Sequence, residues 1–142
     1  MDLWPLVQNR LHDLRPWSDA SQTRVVNLVP KDFTVQADAA LLTQVFQNLV
    51  SNALRYAPHG EVLLSARVAQ NRVECSVEED GEGIPPERLE RVFDKLETDP
   101  DPEKSGTGLG LAIVKQTVEA HGGEVTVESR PDHGTIFRFT LP

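Results

Sequence analysis

From about Ala39 to Tyr56 the chain places apolar residues at 41, 42, 45, 46, 49, 50, 53 and 54. That recurrence predicts one amphipathic helix with a wide apolar stripe. Pro58 and Gly60 stop it. A stripe this wide must be buried against a second layer, and the remaining segments have to supply that layer.

Residues 61–68 and 72–78 read as a β-hairpin turning at Gln70-Asn71, with Val73, Cys75 and Val77 on one strand face. A second hairpin is expected from 124–129 and 135–141, turning around Pro131 to Gly134. Residues 24–29 and 33–36 look like short strands joined by a turn at Pro30-Lys31-Asp32. A first helix begins after Asp2, carries Leu3, Val7, Leu11 and Leu14, and is expected to end at Pro16. Residues 108–120 form another helix closed by Gly122-Gly123, and a short one fits 86–93 with Pro86 at its start. Between Gly81 and Gly106 the periodicity fails, and a long irregular segment inside a compact domain is usually functional or disordered. Helices alternating with antiparallel hairpins predict a two-layer α/β sandwich and argue against a doubly wound parallel sheet. No linker divides the chain, so residues 1–142 are expected to form one domain.

Charge and cysteine content exclude several classes. The net charge is −8, and between Glu74 and Glu103 there are twelve acids against three bases. Binding to nucleic acid through phosphate contacts is therefore not expected. One cysteine, Cys75, excludes an intrachain disulfide and a multi-cysteine metal site. No apolar run is long enough to span a bilayer and the first residues lack a signal core, so a cytoplasmic location without direct membrane insertion is expected.

Three features carry candidate chemistry. On the long helix, Asn48, Asn52 and Arg55 fall within about 60° of one another at the edge of the apolar stripe. Asn is a poor helix former, and two amides one turn apart beside a cation can hold a metal ion and a phosphate. Gly81-Glu82-Gly83-Ile84-Pro85 follows a strand directly. Gly106-Thr107-Gly108-Leu109-Gly110-Leu111 opens a helix, where backbone N–H groups can meet an anion. Neither run fits a Walker loop or a Rossmann fingerprint.

Taken in order, these pieces resemble the ATP-binding catalytic domain of sensor histidine kinases. Asn48 to Tyr56 is similar to its Asn box, Glu79 to Pro85 to its first glycine box, Val92-Phe93-Asp94-Lys95 to its Phe box, and Gly106 to Val114 to its second glycine box. His121-Gly122-Gly123 and Gly134-Thr135-Ile136-Phe137 are similar to its C-terminal hairpin. The resemblance implies the Bergerat fold: three main helices on a mixed five-stranded sheet, with a mobile ATP lid over about 94–106. It implies ATP and Mg2+ as cofactors, with Asn52 as the magnesium ligand and Asn48 helping to place the phosphates. Arg55 would reach a phosphate, Tyr56 would lie against adenine, and Lys95 would meet the γ-phosphate. Backbone amides over Thr107, Gly108, Leu109 and Gly110 would cradle the phosphate chain. Gly81, Gly83, Ile84 and Thr135 would shape the purine pocket. The implied reaction passes the γ-phosphate to a histidine on a dimerisation and histidine-phosphotransfer domain absent from this chain, for onward delivery to a response regulator. The isolated domain would be monomeric, and its parent protein free to be membrane-anchored.

The sequence departs from the family pattern at three places. Glu79 stands where the family has the Asp that accepts the adenine amino hydrogen, with Asp80 one residue late. Glu adds a methylene, about 1.5 Å of reach. Leu96 replaces a second Phe of the Phe box. Asn48 stands where related ATPases carry a Glu that activates water, and an amide cannot take that proton. The Glu79 substitution leaves open a regulatory domain that binds a guanine or cyclic dinucleotide, and a serine-directed anti-sigma kinase is a third reading. His12, within Leu11-His12-Asp13-Leu14-Arg15-Pro16, imitates a phosphoacceptor box. Only 36 positions separate it from Asn48, too few for a dimerisation hairpin, so it reads as a surface histidine. Trp4 and Trp17 are expected to pack the first helix.

Overall fold

A computed structural model describes residues 1–89, 91–94, 110–130 and 132–142. Lys95, Leu96, Thr107, Gly108 and Leu109, and with them the expected lid beyond Asp94, lie outside the described residues. The elements run α1 (Leu3–Asp13), α2 (Arg15–Ser21), β1 (Arg24–Asn27), α3 (Ala39–Tyr56), β2 (Glu61–Ala69), β3 (Arg72–Glu79), α4 (Pro86–Leu89), α5 (Gly110–Ala120), β4 (Val125–Arg130) and β5 (Gly134–Leu141).

The long helix α3 forms over the stretch its stripe predicts. Its start is fixed by Asp38, whose carboxylate accepts from the N–H groups of Ala40 and Leu41 at 2.9 and 3.2 Å. The five strands form one mixed sheet in the order β1-β2-β3-β5-β4, with β1 and β2 parallel and every other pair antiparallel. Gln70 and Asn71, at φ 54° and 64°, make the tight turn between β2 and β3. One face of the sheet packs on the helices: Phe46, Leu49 and Val50 of α3 and Val114 and Val118 of α5 join Val62, Leu64, Val77 and Phe139 in the core. Phe46 meets Phe139 edge to face at 5.3 Å. Cys75 lies in this core, and burial pushes its thiol up to about 12, so it stays a protonated apolar filler. The other face carries polar pairs such as Arg138 with Glu128 at 3.2 Å.

Four expectations are corrected. Pro16 does not end helical structure. It sits in the first turn of α2, where its missing N–H costs nothing, after a single linking residue, Leu14. Residues 33–36 are not a sheet strand. The far edge of β1 is taken by α1, with the Asn27 amide donating to the carbonyl of Trp4, so the segment bonds back to the first residues through Leu3 N–H to Phe33 O and Val35 N–H to Met1 O. β1 also stops at Asn27, whose side-chain oxygen accepts from Val29 N–H and curls the chain out of the sheet. Trp4 is half-buried under Lys31, but Trp17 is 63% exposed and packs little.

Candidate functional site

On α3, Asn48, Asn52 and Tyr56 recur every four residues and form one row about 12 Å long. Asn52 is 8% exposed and Tyr56 is buried. Asn48 is half-buried, and its Nδ2 has no partner among the described residues. The Asn48 end of the row lies against Gly110, the first residue of α5: a Cβ built at Gly110 would stand 3.8 Å from the Asn48 amide. The described start of α5, the end of a helix that carries the positive dipole, thus stands beside Asn48.

The Tyr56 end meets the close of β3. A Cβ at Gly81 would fall 1.8 Å from the Tyr56 carbonyl oxygen and 2.6 Å from Glu79 Oε2, so only glycine fits the crossing. Gly83, at φ +80°, turns the chain back, and a Cβ there would meet the Arg130 carbonyl at 2.8 Å. This leads into buried Ile84, whose N–H donates to Ser129 Oγ at 2.6 Å.

Glu79 closes the same end. It points inward with Val77 and Cys75, as strand alternation requires, and is 4% exposed. Across the sheet it stands level with Thr135 of β5 and Ser129 of β4, a polar row at the rim of an otherwise apolar face. Its Oε2 accepts from its own Gly81 N–H at 2.5 Å, while Oε1 is buried with no partner among the described residues. Burial pushes the Glu79 carboxyl above the usual glutamate value of 4.5 and neighbouring Asp80 adds to the rise, against the opposing Gly81 N–H and the nearby Thr135. Asp80 is exposed and turns away, with Oδ1 accepting from Glu61 N–H at 2.7 Å.

Among the described candidates, Asn48, Asn52 and Tyr56 share one row on α3 with Gly110 beside Asn48 and Gly81 beside Tyr56, and Glu79 stands level with Thr135 across the sheet. Asp80 is exposed and bonded to Glu61, and Arg55 is exposed and lines a groove with Leu14 and Trp17. Phe93 of the Phe box packs on Phe137 at 6.0 Å, fixing the chain just before the undescribed stretch. His12 is exposed on α1. Sequence reasoning missed Ser129. Its signal is the alternation Val125, Val127, Ser129, which puts the hydroxyl on the inner face.

Sheet order and helix placement define the class, a two-layer α/β sandwich on a mixed five-stranded sheet. The chain belongs to the histidine kinase-, DNA gyrase B- and HSP90-like ATPase family, whose model matches residues 37–142. It is 38% identical over 142 residues to the adaptive-response sensory kinase SasA of Rippkaea orientalis, covering 96% of this chain and 36% of that protein. It is 41% identical over 122 residues to the sensor histidine kinase WalK of Bacillus subtilis, covering 82% of this chain and 20% of the relative. The chain thus spans about a third or less of these two curated relatives. Among solved structures, the nucleotide-free catalytic domain of histidine kinase ThkA matches all of this chain and 93% of its own, with TM-score 0.87 and 28% identity. Full-length ShkA in complex with AMPPNP matches all of this chain and 30% of its own, with TM-score 0.86 and 30% identity. Within its family the chain is an ATPase catalytic domain of the histidine-kinase type, and ATP binding follows from that membership. No described helix is long and apolar enough to cross a membrane.

Proposed function

We propose that this domain binds magnesium ATP in the α3 cleft and passes the γ-phosphate to a histidine on a dimerisation domain outside this chain. The observation that carries the reading is a polar row: a buried carboxylate oxygen of Glu79 with no partner among the described residues at one end, the described start of α5 at the other, and Asn48, Asn52 and Tyr56 between them. Glu79 Oε1 accepts from the adenine amino group while Oε2 stays on Gly81. Thr135 and Ile84 floor the base, and Tyr56 lies against it. Asn48 and the amides of residues 107–110 hold the phosphates, Arg55 reaches a phosphate, and Lys95 meets the γ-phosphate.

The donor set suits magnesium. Among the described residues no three His, Cys, Asp or Glu side chains gather into a metal cluster, and Asn52 offers one neutral oxygen. That fits a hard ion that keeps several waters and shares phosphate oxygens, and such an ion offsets phosphate charge. Asn48 supplies no base to activate water, which favours transfer to a side chain over hydrolysis. The parent protein would hand the phosphate to a cognate response regulator. The domain itself works as a cytoplasmic monomer, whether or not its parent is membrane-anchored.

The test supplies the parent's dimerisation domain in trans with γ-labelled ATP. Acid-labile label on its histidine is expected. Label on serine, or none on a folded partner, contradicts the reading.

A further inference from the structure

A groove of about 640 Å³ lies between α2 and the C-terminal half of α3, at the edge of the α3 core stripe where Leu54 sits. Leu14, Trp17 and Ala20, three residues apart, line one wall, and Ser51, Leu54 and Arg55 of α3 line the other. Trp17 is the exposed indole that the core leaves unused. Arg55 is exposed and makes no hydrogen bond or ion pair among the described residues, and it is the only charged side chain of the lining. Trp and Arg are the residue types that dominate binding energy at interfaces. Two helical ridges with a trough between them accept a third helix, and the occupant of such a trough reads as apolar anchors at i, i+3 or i+4, and i+7.

We propose that this groove docks an amphipathic helix of a partner protein, apolar toward Trp17 and Leu54 and carrying an Asp or Glu that pairs with Arg55. Among the described lining residues Arg55 is the lone cation and none is acidic, which sets the sign of the partner's charge. The groove also shares Arg55 with the nucleotide cleft, since Arg55 lies within about 60° of Asn48 and Asn52 on α3. Resting on the ATP reading above, a helix carboxylate that takes Arg55 withdraws it from phosphate. Docking and ATP binding therefore oppose each other, by the same factor in both directions.

The experiment selects from a displayed library of helical peptides with one randomised face, using the whole chain as bait. The best clone is synthesised and titrated against wild type, Trp17→Ala and Ser51→Arg. Both substitutions lie at exposed or half-exposed positions, and both variants should keep the wild-type circular dichroism and ATP affinity. Selected faces should combine apolar anchors with Asp or Glu, and binding should fall at least about tenfold in each variant. Saturating peptide should weaken ATP binding to wild type, and leave it unchanged in Arg55→Gln. No enrichment, basic faces, or equal affinity for wild type and both variants overturns the docking surface. A chain that binds peptide through Trp17 but no ATP upholds the surface and removes the coupling and the nucleotide reading together.

Discussion

Glu79→Gln separates what the buried carboxylate does for the fold from what it does for the ligand. Glu79 is 4% exposed, with one oxygen on Gly81 N–H and the other without a partner among the described residues. The amide keeps the shape and one acceptor, which Gly81 takes. Its NH2 then faces the adenine amino group, donor against donor. A hydrogen bond to a charged group is typically worth about 1.5–3 kcal/mol, so ATP affinity should fall about ten- to a hundred-and-fiftyfold. Stability should move the other way. The Glu79 carboxyl is raised in the folded state, so the unfolded chain gives up this proton first as pH rises from 4.5. Wild type therefore loses stability relative to the variant through the window from 4.5 up to the raised value, and that loss persists at higher pH. Calorimetric titration with ATP, and denaturant unfolding of both proteins from pH 4 to pH 8, read the two effects. Unchanged ATP affinity in Glu79→Gln, or a stability difference that does not vary with pH, would refute the reasoning.

Asp80→Ala should leave ATP affinity at the wild-type value, since its carboxylate serves the exposed Glu61 N–H. It should cost about 0.5–1.5 kcal/mol of unfolding free energy, and a loss of ATP binding would reverse the assignment of the two carboxylates. Asn52→Ala should abolish the magnesium dependence of ATP binding with circular dichroism unchanged, and an unaltered magnesium response removes Asn52 as the ligand. Gly81→Ala drives a methyl group to 1.8 Å from the Tyr56 carbonyl, so the midpoint of urea unfolding should fall by the equivalent of at least about 1–3 kcal/mol; an unshifted midpoint contradicts the packing of β3 on α3.

Much of this fold is written in local periodicity. The α3 stripe, the Gln70-Asn71 turn and the inward set Val73, Cys75, Val77, Glu79 follow from spacing alone, and the last already aims Glu79 at the interior. What spacing cannot carry is partner choice. Nothing in residues 134–141 says that β5 inserts between β3 and β4, or that β1 runs parallel to β2. Pro16 is ambiguous because the same ring ends one helix and begins the next, and only the single-residue link at Leu14 decides. Phe33 and Val35 alternate like a strand, yet the edge they would need faces α1. The fold of Glu79 back onto Gly81 depends on side-chain rotamers, and the exposure of Trp17 depends on where α2 settles against α3. Neither leaves a trace in composition or spacing.

The most direct test of the ATP assignment is calorimetric titration of the intact chain with ATP, GTP and a cyclic dinucleotide, with and without magnesium. The account predicts one site per chain, tighter for ATP than for the other two and strengthened by magnesium. Equal or tighter binding of GTP or the cyclic dinucleotide, or no heat with ATP at any magnesium concentration, would contradict it.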